Sequence, residues 1–161
     1  MTTVSLTLDE IFDLAKKTLL ANGCDDKTAS ILSDLIRNAE RDGSASHGLF
    51  RLSAYISGLK SGKINGKGIP DVKKISPSVI KVQGNNSLAP VVLSKGLPEL
   101  SKAAKENGVA VLAINNSHHM AAMWPETEKL AEDGLVAFAC TSYKPAVAPV
   151  SYTHLTLPTT D

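Results

Sequence analysis

The sequence predicts an α/β fold, a mixed sheet layered with helices. Helical periodicity fills the first third of the chain, and short apolar strand candidates alternate with helices in the rest. The chain has 161 residues, of which 43% are hydrophobic, and a formal net charge of +1. This composition is typical of a globular domain. Its near-neutral charge gives no electrostatic reason to expect nucleic acid or a membrane surface as a partner.

Two amphipathic helices are predicted to open the chain. Thr7 and Glu10 have the spacing of a capping box, which predicts a helix start at that point. Asp25 or Asp26 then caps a second helix, whose apolar stripe runs over residues 29–39.

A third helix is predicted over residues 46–59. It would carry His47, Arg51 and Tyr55 at positions i, i+4 and i+8, so that a polar ligand could meet all three side chains on one face. The glycines and the proline in 62–70 then predict a flexible connection.

A hairpin is predicted next along the chain. Residues 72–75 and 79–82 are the strand candidates, and a turn at 76–78 joins them. The sequence Gly-Asn-Asn at 84–86 predicts a second turn.

The remaining elements alternate between helix and strand. A helix is expected over about 90–107, with Pro98 kinking or shortening it. The continuous apolar run 109–114 is typical of a strand buried on both faces. A helix near 125–132 and an apolar strand at 135–139 complete the series.

Histidine, serine and arginine are the candidate catalytic and binding residues. Histidine ordinarily titrates near pH 6.5, which makes His47 a candidate proton donor, with Ser46 beside it. The alternative is that Ser46 caps a helix and His47 is half-exposed without a role. Arg51 is either a carboxylate clamp or a surface cation.

Several kinds of site are excluded by spacing. His118 and His119 are adjacent and complete no metal-ligand pattern, so no metal site is expected. Cys24 and Cys140 form no C-x-x-C pair, which excludes zinc-ribbon and thioredoxin-type sites. Neither a Walker A motif nor a Rossmann fingerprint is present. No apolar stretch reaches the length of a signal peptide core or a membrane span, and we expect a cytoplasmic location and no membrane partner.

Four segments, in order, carry a family resemblance. They are ERDGSASHGLFRLSAYISGLKSGKING at 40–66, VQGNNSLAP at 82–90, AKENGVAVLAINNSHHMAAMWPETEKLAEDGLVAFACTS at 104–142 and PAVAP at 145–149. Together they resemble the malate/L-lactate dehydrogenase family, whose fold is not the Rossmann fold. The HHMAAMWPETE stretch is most similar to the branch of Δ1-piperideine-2-carboxylate/Δ1-pyrroline-2-carboxylate reductases.

The resemblance implies a function and a set of site residues. Such enzymes reduce a cyclic imino acid to L-pipecolate or L-proline with NADPH, NADH being possible, and a homodimer is implied for the full-length protein. His47 matches the proton donor, Ser46 its partner in a charge relay, and Arg51 the residue that binds the substrate carboxylate. The residues that match the cofactor-lining segment are His119, Met120, Ala121, Ala122 and Met123.

The resemblance also implies three parts of the chain. Residues 1–62 form a helical amino-terminal portion, and 63–149 the first part of the cofactor-binding α/β domain. Residues 150–161 resemble a translated sequencing adapter, so we expect a non-native tail. Because family members are much longer, the fold is expected to be incomplete and the chain as given inactive.

Two alternative functions remain open from the sequence. The first is a malate/L-lactate-type dehydrogenase that acts on a 2-keto or 2-hydroxy acid. The second is a small binding domain without catalysis, for which only the length and composition speak.

Overall fold

The computed structural model describes residues 4–118 and 121–141. The helices are α1 (Leu8–Ala21), α2 (Asp26–Arg41), α3 (Leu52–Lys60), α4 (Ala89–Asn107) and α5 (Trp124–Glu132). The strands are β1 (Asp71–Ser76), β2 (Val79–Leu88) and β3 (Val111–His118). Two short 3₁₀ turns, Ala45–His47 and Leu49–Arg51, lie between α2 and α3.

The starts of α1 and α2 confirm the predicted caps. The Thr7 hydroxyl accepts from the Glu10 amide at 3.2 Å, and the Glu10 carboxylate accepts from the Thr7 amide at 2.8 Å. At α2 the carboxylate of Asp25 accepts from the Thr28 amide at 2.7 Å. Both caps satisfy amides that a helix start leaves without a partner inside the helix.

The prediction of one helix over 46–59 is wrong. Gly48, at φ −86° and ψ −138°, leaves the helical region and separates the two 3₁₀ turns. Just after it, the Leu49 amide donates to a carboxylate oxygen of Glu40 at 2.8 Å. A side chain on Gly48 would overlap that carboxylate. His47 therefore precedes the break, and the i, i+4, i+8 face does not exist as predicted.

The three strands form the mixed sheet that the sequence predicts. Their order is β1-β2-β3, with β1 antiparallel and β3 parallel to β2. The hairpin at 76–78 is confirmed. The second predicted turn is instead an irregularity within β2, where Asn85 and Asn86 have φ of 51° and 61° and the register with β3 shifts.

Helix α4 packs on one face of the sheet and is not shortened by Pro98. It runs unbroken over 19 residues because Pro98 lies on its exposed side. Because proline has no N–H, the backbone carbonyl one turn earlier receives no hydrogen bond within the helix, and on the exposed side water can satisfy it. On the buried side, Gly96 lets the helix approach Leu112 and Val82 closely.

Strand β3 is covered on one face only within the described residues, so the prediction of burial on both faces is wrong. Val109 is 69% exposed and Val111 is 56% exposed, while Leu112 and Ile114 pack into the core. Residues 135–139 are not in a strand, and their Val136 and Phe138 are exposed.

The connection between α3 and β1 is tied to the rest of the fold at two of its glycines. Gly66 and Gly68 are buried, and the Gly66 carbonyl accepts from the Asp25 amide at 3.1 Å. The Ser87 hydroxyl donates to the Gly68 carbonyl at 3.0 Å. These bonds join the connection both to the α1–α2 corner and to the end of β2.

Two hydrophobic clusters form the core. One joins α1, α2 and α3 with Ile64 and Leu88, and the other lies between α4 and the sheet. Because Ile64 and Leu88 lie beyond residue 62, the first cluster reaches across the predicted boundary, and the division into 1–62 and 63–149 stays a prediction. The tail at 150–161 lies outside the described residues. No helix in the described part has the length and hydropathy needed to cross a membrane.

Candidate functional site

His47 is held on one side by two serine hydroxyls. Its Nδ1 lies 3.0 Å from the Ser46 hydroxyl and 3.2 Å from the Ser44 hydroxyl. When these hydroxyls donate to Nδ1, the proton of a neutral imidazole resides on Nε2. The structure thus brings the predicted pair together and adds Ser44, which sequence reasoning missed.

Ser44 is itself fixed by the turn that follows α2. Its amide donates to the Ala39 carbonyl at 2.8 Å, and its carbonyl accepts from the His47 amide at 2.8 Å. The serine at position 44 of ERDGSASHG was the available signal, but sequence spacing does not show which way a turn directs a hydroxyl.

Trp124 packs against the imidazole. The two ring centroids are 5.8 Å apart and the ring planes meet at 76°, an edge-to-face arrangement. Trp124 is the first residue of α5, so this contact brings the start of α5 to His47.

Arg51 lies partly buried, at the end of the second 3₁₀ turn. Its Nε is buried and has no hydrogen-bond partner among residues 4–118 and 121–141. Tyr55, only 1% exposed, lies close enough for the Arg51 charge to act on it. Burial raises the pKa of Tyr55 to about 12, and the positive charge of Arg51 opposes that rise.

A charged pair lies at the other side of Trp124. Arg41 donates to both carboxylate oxygens of Asp42, at 2.8 and 3.3 Å. This pairing is the main reason that the pKa of Asp42 is lowered, and the indole of Trp124 contributes in the same direction. The indole therefore lies near both the Asp42 carboxylate and the His47 ring.

Glu40 is a further residue that sequence reasoning missed. Its carboxylate accepts from the Leu49 amide and fills the space above Gly48, between His47 and Arg51. The contact spans nine residues, so helical spacing could not reveal it.

The predicted cofactor segment is described only in part. Ala121, Ala122 and Met123 lead into α5, with Ala122 6% exposed, whereas His119 and Met120 lie outside the described residues. Met123 also lines an open, largely apolar groove of about 1290 Å³ between α4, β3 and α5. Ala121, Ala122 and Met123 thus present small and apolar side chains directly before Trp124 in the sequence.

Cys24 lies in the core cluster of α1, α2 and α3, and Cys140 lines the groove beside α5. Burial is the main cause that raises the pKa of Cys24 to about 11, and Cys140 is exposed. Residues 4–118 and 121–141 contain no group of three side chains suited to a metal ion. The expectation of no metal site stays a prediction.

Comparison with known proteins places these residues in a family. The sequence matches the malate/L-lactate dehydrogenase family over residues 6–159. It is 36% identical over 147 residues to a Δ1-pyrroline-2-carboxylate/Δ1-piperideine-2-carboxylate reductase of Pseudomonas syringae pv. tomato, covering 91% of this chain and 43% of the relative. A Δ1-pyrroline-2-carboxylate reductase of Ancylobacter novellus is 37% identical, with 93% and 44% covered.

Solved structures agree with the fold. The Δ1-piperideine-2-carboxylate reductase of P. syringae pv. tomato superposes with a TM-score of 0.79 at 36% identity, over 82% of this chain and 40% of that one. Malate dehydrogenase of Pyrococcus horikoshii gives a TM-score of 0.75 at 27% identity, over 81% and 38%. The chain thus spans about two-fifths of the length of these relatives. The α/β fold and the family resemblance are both confirmed: the chain belongs to the malate/L-lactate dehydrogenase family.

Proposed function

We propose that this chain is the amino-terminal part of a reductase that transfers hydride from NADPH to a cyclic imino acid. The product would be L-proline from Δ1-pyrroline-2-carboxylate, or L-pipecolate from Δ1-piperideine-2-carboxylate. The proposal rests mainly on Arg51, whose Nε is buried and has no hydrogen-bond partner among the described residues. Arg51 lies a few residues after His47, whose Nδ1 contacts two serine hydroxyls. The names of the relatives supply the substrate class.

Arg51 would bind the substrate carboxylate. A guanidinium offers Nε and a neighbouring Nη in the geometry of a two-pronged contact with a carboxylate. A buried donor without a partner costs free energy until a ligand satisfies it. The buried Tyr55 beside Arg51 would form a wall of the pocket.

His47 would deliver the proton. With both serine hydroxyls at Nδ1, Nε2 is the ring nitrogen that would deliver the proton to the substrate. A bound nicotinamide supplies the hydride, which adds to C2 of the imine. His47 then protonates the ring nitrogen as its C=N bond becomes a single bond. Ser46 and Ser44 keep the imidazole in the required tautomer and orientation.

The cofactor would rest on the segment 119–123. Ala121, Ala122 and Met123 provide the apolar surface, and His119 and Met120 are proposed from the family resemblance alone. We assign NADPH as the cofactor, with NADH as the alternative. A cytoplasmic location, a homodimer of the full-length protein, and the absence of nucleic-acid partners belong to the same proposal.

A 2-keto acid is the alternative substrate. Malate dehydrogenases are among the similar structures, and the same two side chains could bind a keto acid's carboxylate and protonate its oxygen. The hypothesis of a small binding domain without catalysis is no longer favoured. Only the length and composition supported it, and the chain belongs to an oxidoreductase family.

The test is a substrate panel on the full-length protein that the gene encodes. We expect oxidation of NADPH with Δ1-pyrroline-2-carboxylate or Δ1-piperideine-2-carboxylate, and much slower oxidation with pyruvate or oxaloacetate. Replacing Arg51 by Lys should raise KM for the cyclic imine, because a lysine cannot make the two-pronged contact. Faster turnover of the keto acids would instead support the alternative, a dehydrogenase that acts on 2-keto acids.

A further inference from the structure

Trp124 packs against the proposed proton donor, whose ring also contacts two serine hydroxyls. Serine hydroxyls hold the Nδ1 edge of His47, and the indole lies edge-to-face against the ring at 5.8 Å. Edge-to-face pairs gain from the opposite charges of ring edge and ring face, so they favour one ring orientation over others. The imidazole is thereby held from two different parts of the chain.

The backbone fixes Trp124 at the junction of two functional segments. It begins α5, and Pro125 after it restricts φ in the first turn. Ala122, two residues before it, is buried. A displacement of 121–123 would therefore be transmitted to the indole, and through the indole to the imidazole.

We propose that Trp124 is a positioning residue, which orients the His47 imidazole and couples it to the segment 121–123. A ligand resting on that segment would change the surroundings of His47 through the indole. The role of the ligand rests on the proposed function, but the contact between the two rings does not.

The three elements that carry His47, Trp124 and their sequence neighbours also carry charged residues. Glu40, Arg41 and Asp42 come from the end of α2, Arg51 from the second 3₁₀ turn, and Glu126 and Glu128 from α5. Arg41 and Asp42 neutralise each other. Because the indole contacts the His47 ring, a change in the charge of that ring would change the surroundings of the indole.

The contact can be tested by fluorescence because the chain contains one tryptophan. A protonated imidazole in contact with an indole quenches its emission. We expect the emission of the 161-residue chain to fall in one transition as the pH is lowered from about 8 to about 5, the range in which histidine titrates.

Two variants test whether the fluorescence transition arises from His47. His47→Gln should abolish it, whereas His118→Gln is the matched control and should retain it. A transition that survives in folded His47→Gln overturns the proposal. Should that variant fail to fold, nuclear Overhauser contacts between indole and imidazole protons in the unmodified chain decide, and their absence overturns the proposal equally.

A kinetic measurement on the full-length protein separates positioning from mere packing. Trp124→Phe keeps an aromatic ring and should keep kcat, whereas Trp124→Leu should lower kcat about tenfold with KM for the cyclic imine unchanged, since Arg51 sets that KM. Equal kcat in both variants would contradict the positioning role. An unmodified enzyme without imine turnover would instead refute the proposed function, and the fluorescence result would still stand.

Discussion

Glu40 shapes the backbone between the proposed proton donor and the proposed carboxylate ligand. One of its oxygens accepts from the Leu49 amide at 2.8 Å, and Gly48 leaves room for the carboxylate. Neither residue needs to contact a substrate, but both fix where His47 and Arg51 lie relative to each other.

We predict that Glu40→Ala lowers the free energy of unfolding by about 1–3 kcal/mol, because the Leu49 amide loses its acceptor. Glu40→Gln retains an acceptor and serves as the matched control, with a loss below about 1 kcal/mol. Gly48→Ala should cost about 1–3 kcal/mol from overlap with the carboxylate. Urea unfolding measures all three.

The substitutions at positions 40 and 48 should be coupled in a double-mutant cycle, because the stability cost of Gly48→Ala depends on the Glu40 side chain. In the Glu40→Ala background the added methyl group meets no carboxylate, so its cost should shrink. Strictly additive losses would contradict the contact.

The stability of the chain should fall at alkaline pH. Burial raises the pKa of Cys24 from 9.0 to about 11 and that of Tyr55 from 10.0 to about 12. The unfolded chain therefore loses these protons first, so the contribution is complete below about pH 9 and is lost as the pH rises through 11 and 12. Urea unfolding between pH 7 and pH 10.5 should show a decline that Tyr55→Phe and Cys24→Ala reduce. An undiminished decline in the double variant would exclude these groups as its cause.

The sequence and the family resemblance predict chemical groups for the site but not their surroundings. Ser46, His47 and Arg51 have residue types that suit proton transfer and carboxylate binding, and their roles stay predictions from the resemblance. Ser44 and Trp124 reach His47 through a turn and through a contact some 77 residues distant in sequence. The Trp124 contact depends on the packing of α5, which no local pattern in the sequence specifies.

At the scale of elements, the caps were predictable and the break at Gly48 was not. Thr7 and Asp25 each act within three residues, so local spacing reveals them. Gly48 lies in a run with helical periodicity, and the cause of the break is Glu40, on a different helix. Tertiary contact here overrides the periodic pattern.

The packing of α4 on the sheet gives a prediction for a single position. A Cβ on Gly96 would lie 2.9 Å from Leu112 and 3.2 Å from Val82. Gly96→Val should therefore lower the free energy of unfolding by about 1–3 kcal/mol through overpacking. The control is Lys95→Val on the exposed side, which should cost about 0.5 kcal/mol from helix propensity alone. Equal losses in thermal or urea unfolding would contradict the close approach.

At the scale of the whole molecule, the fold class was predictable because caps, hairpin and helix–strand alternation agree. The exposure of Val111 and Phe138 was not predictable from the local pattern, because a continuous apolar run looks the same whether one or both faces are covered. The chain spans 43% of a curated relative, and its own His47 and Arg51 lie within that part.

The most direct test of the account compares the full-length protein with its His47→Asn variant. The measurement is the rate of NADPH oxidation with Δ1-piperideine-2-carboxylate. If His47 delivers the proton, the unmodified enzyme turns the imine over and the variant loses about 10²–10⁴-fold in kcat. A folded variant that retains full kcat, or an unmodified enzyme without activity on the cyclic imine, would contradict it.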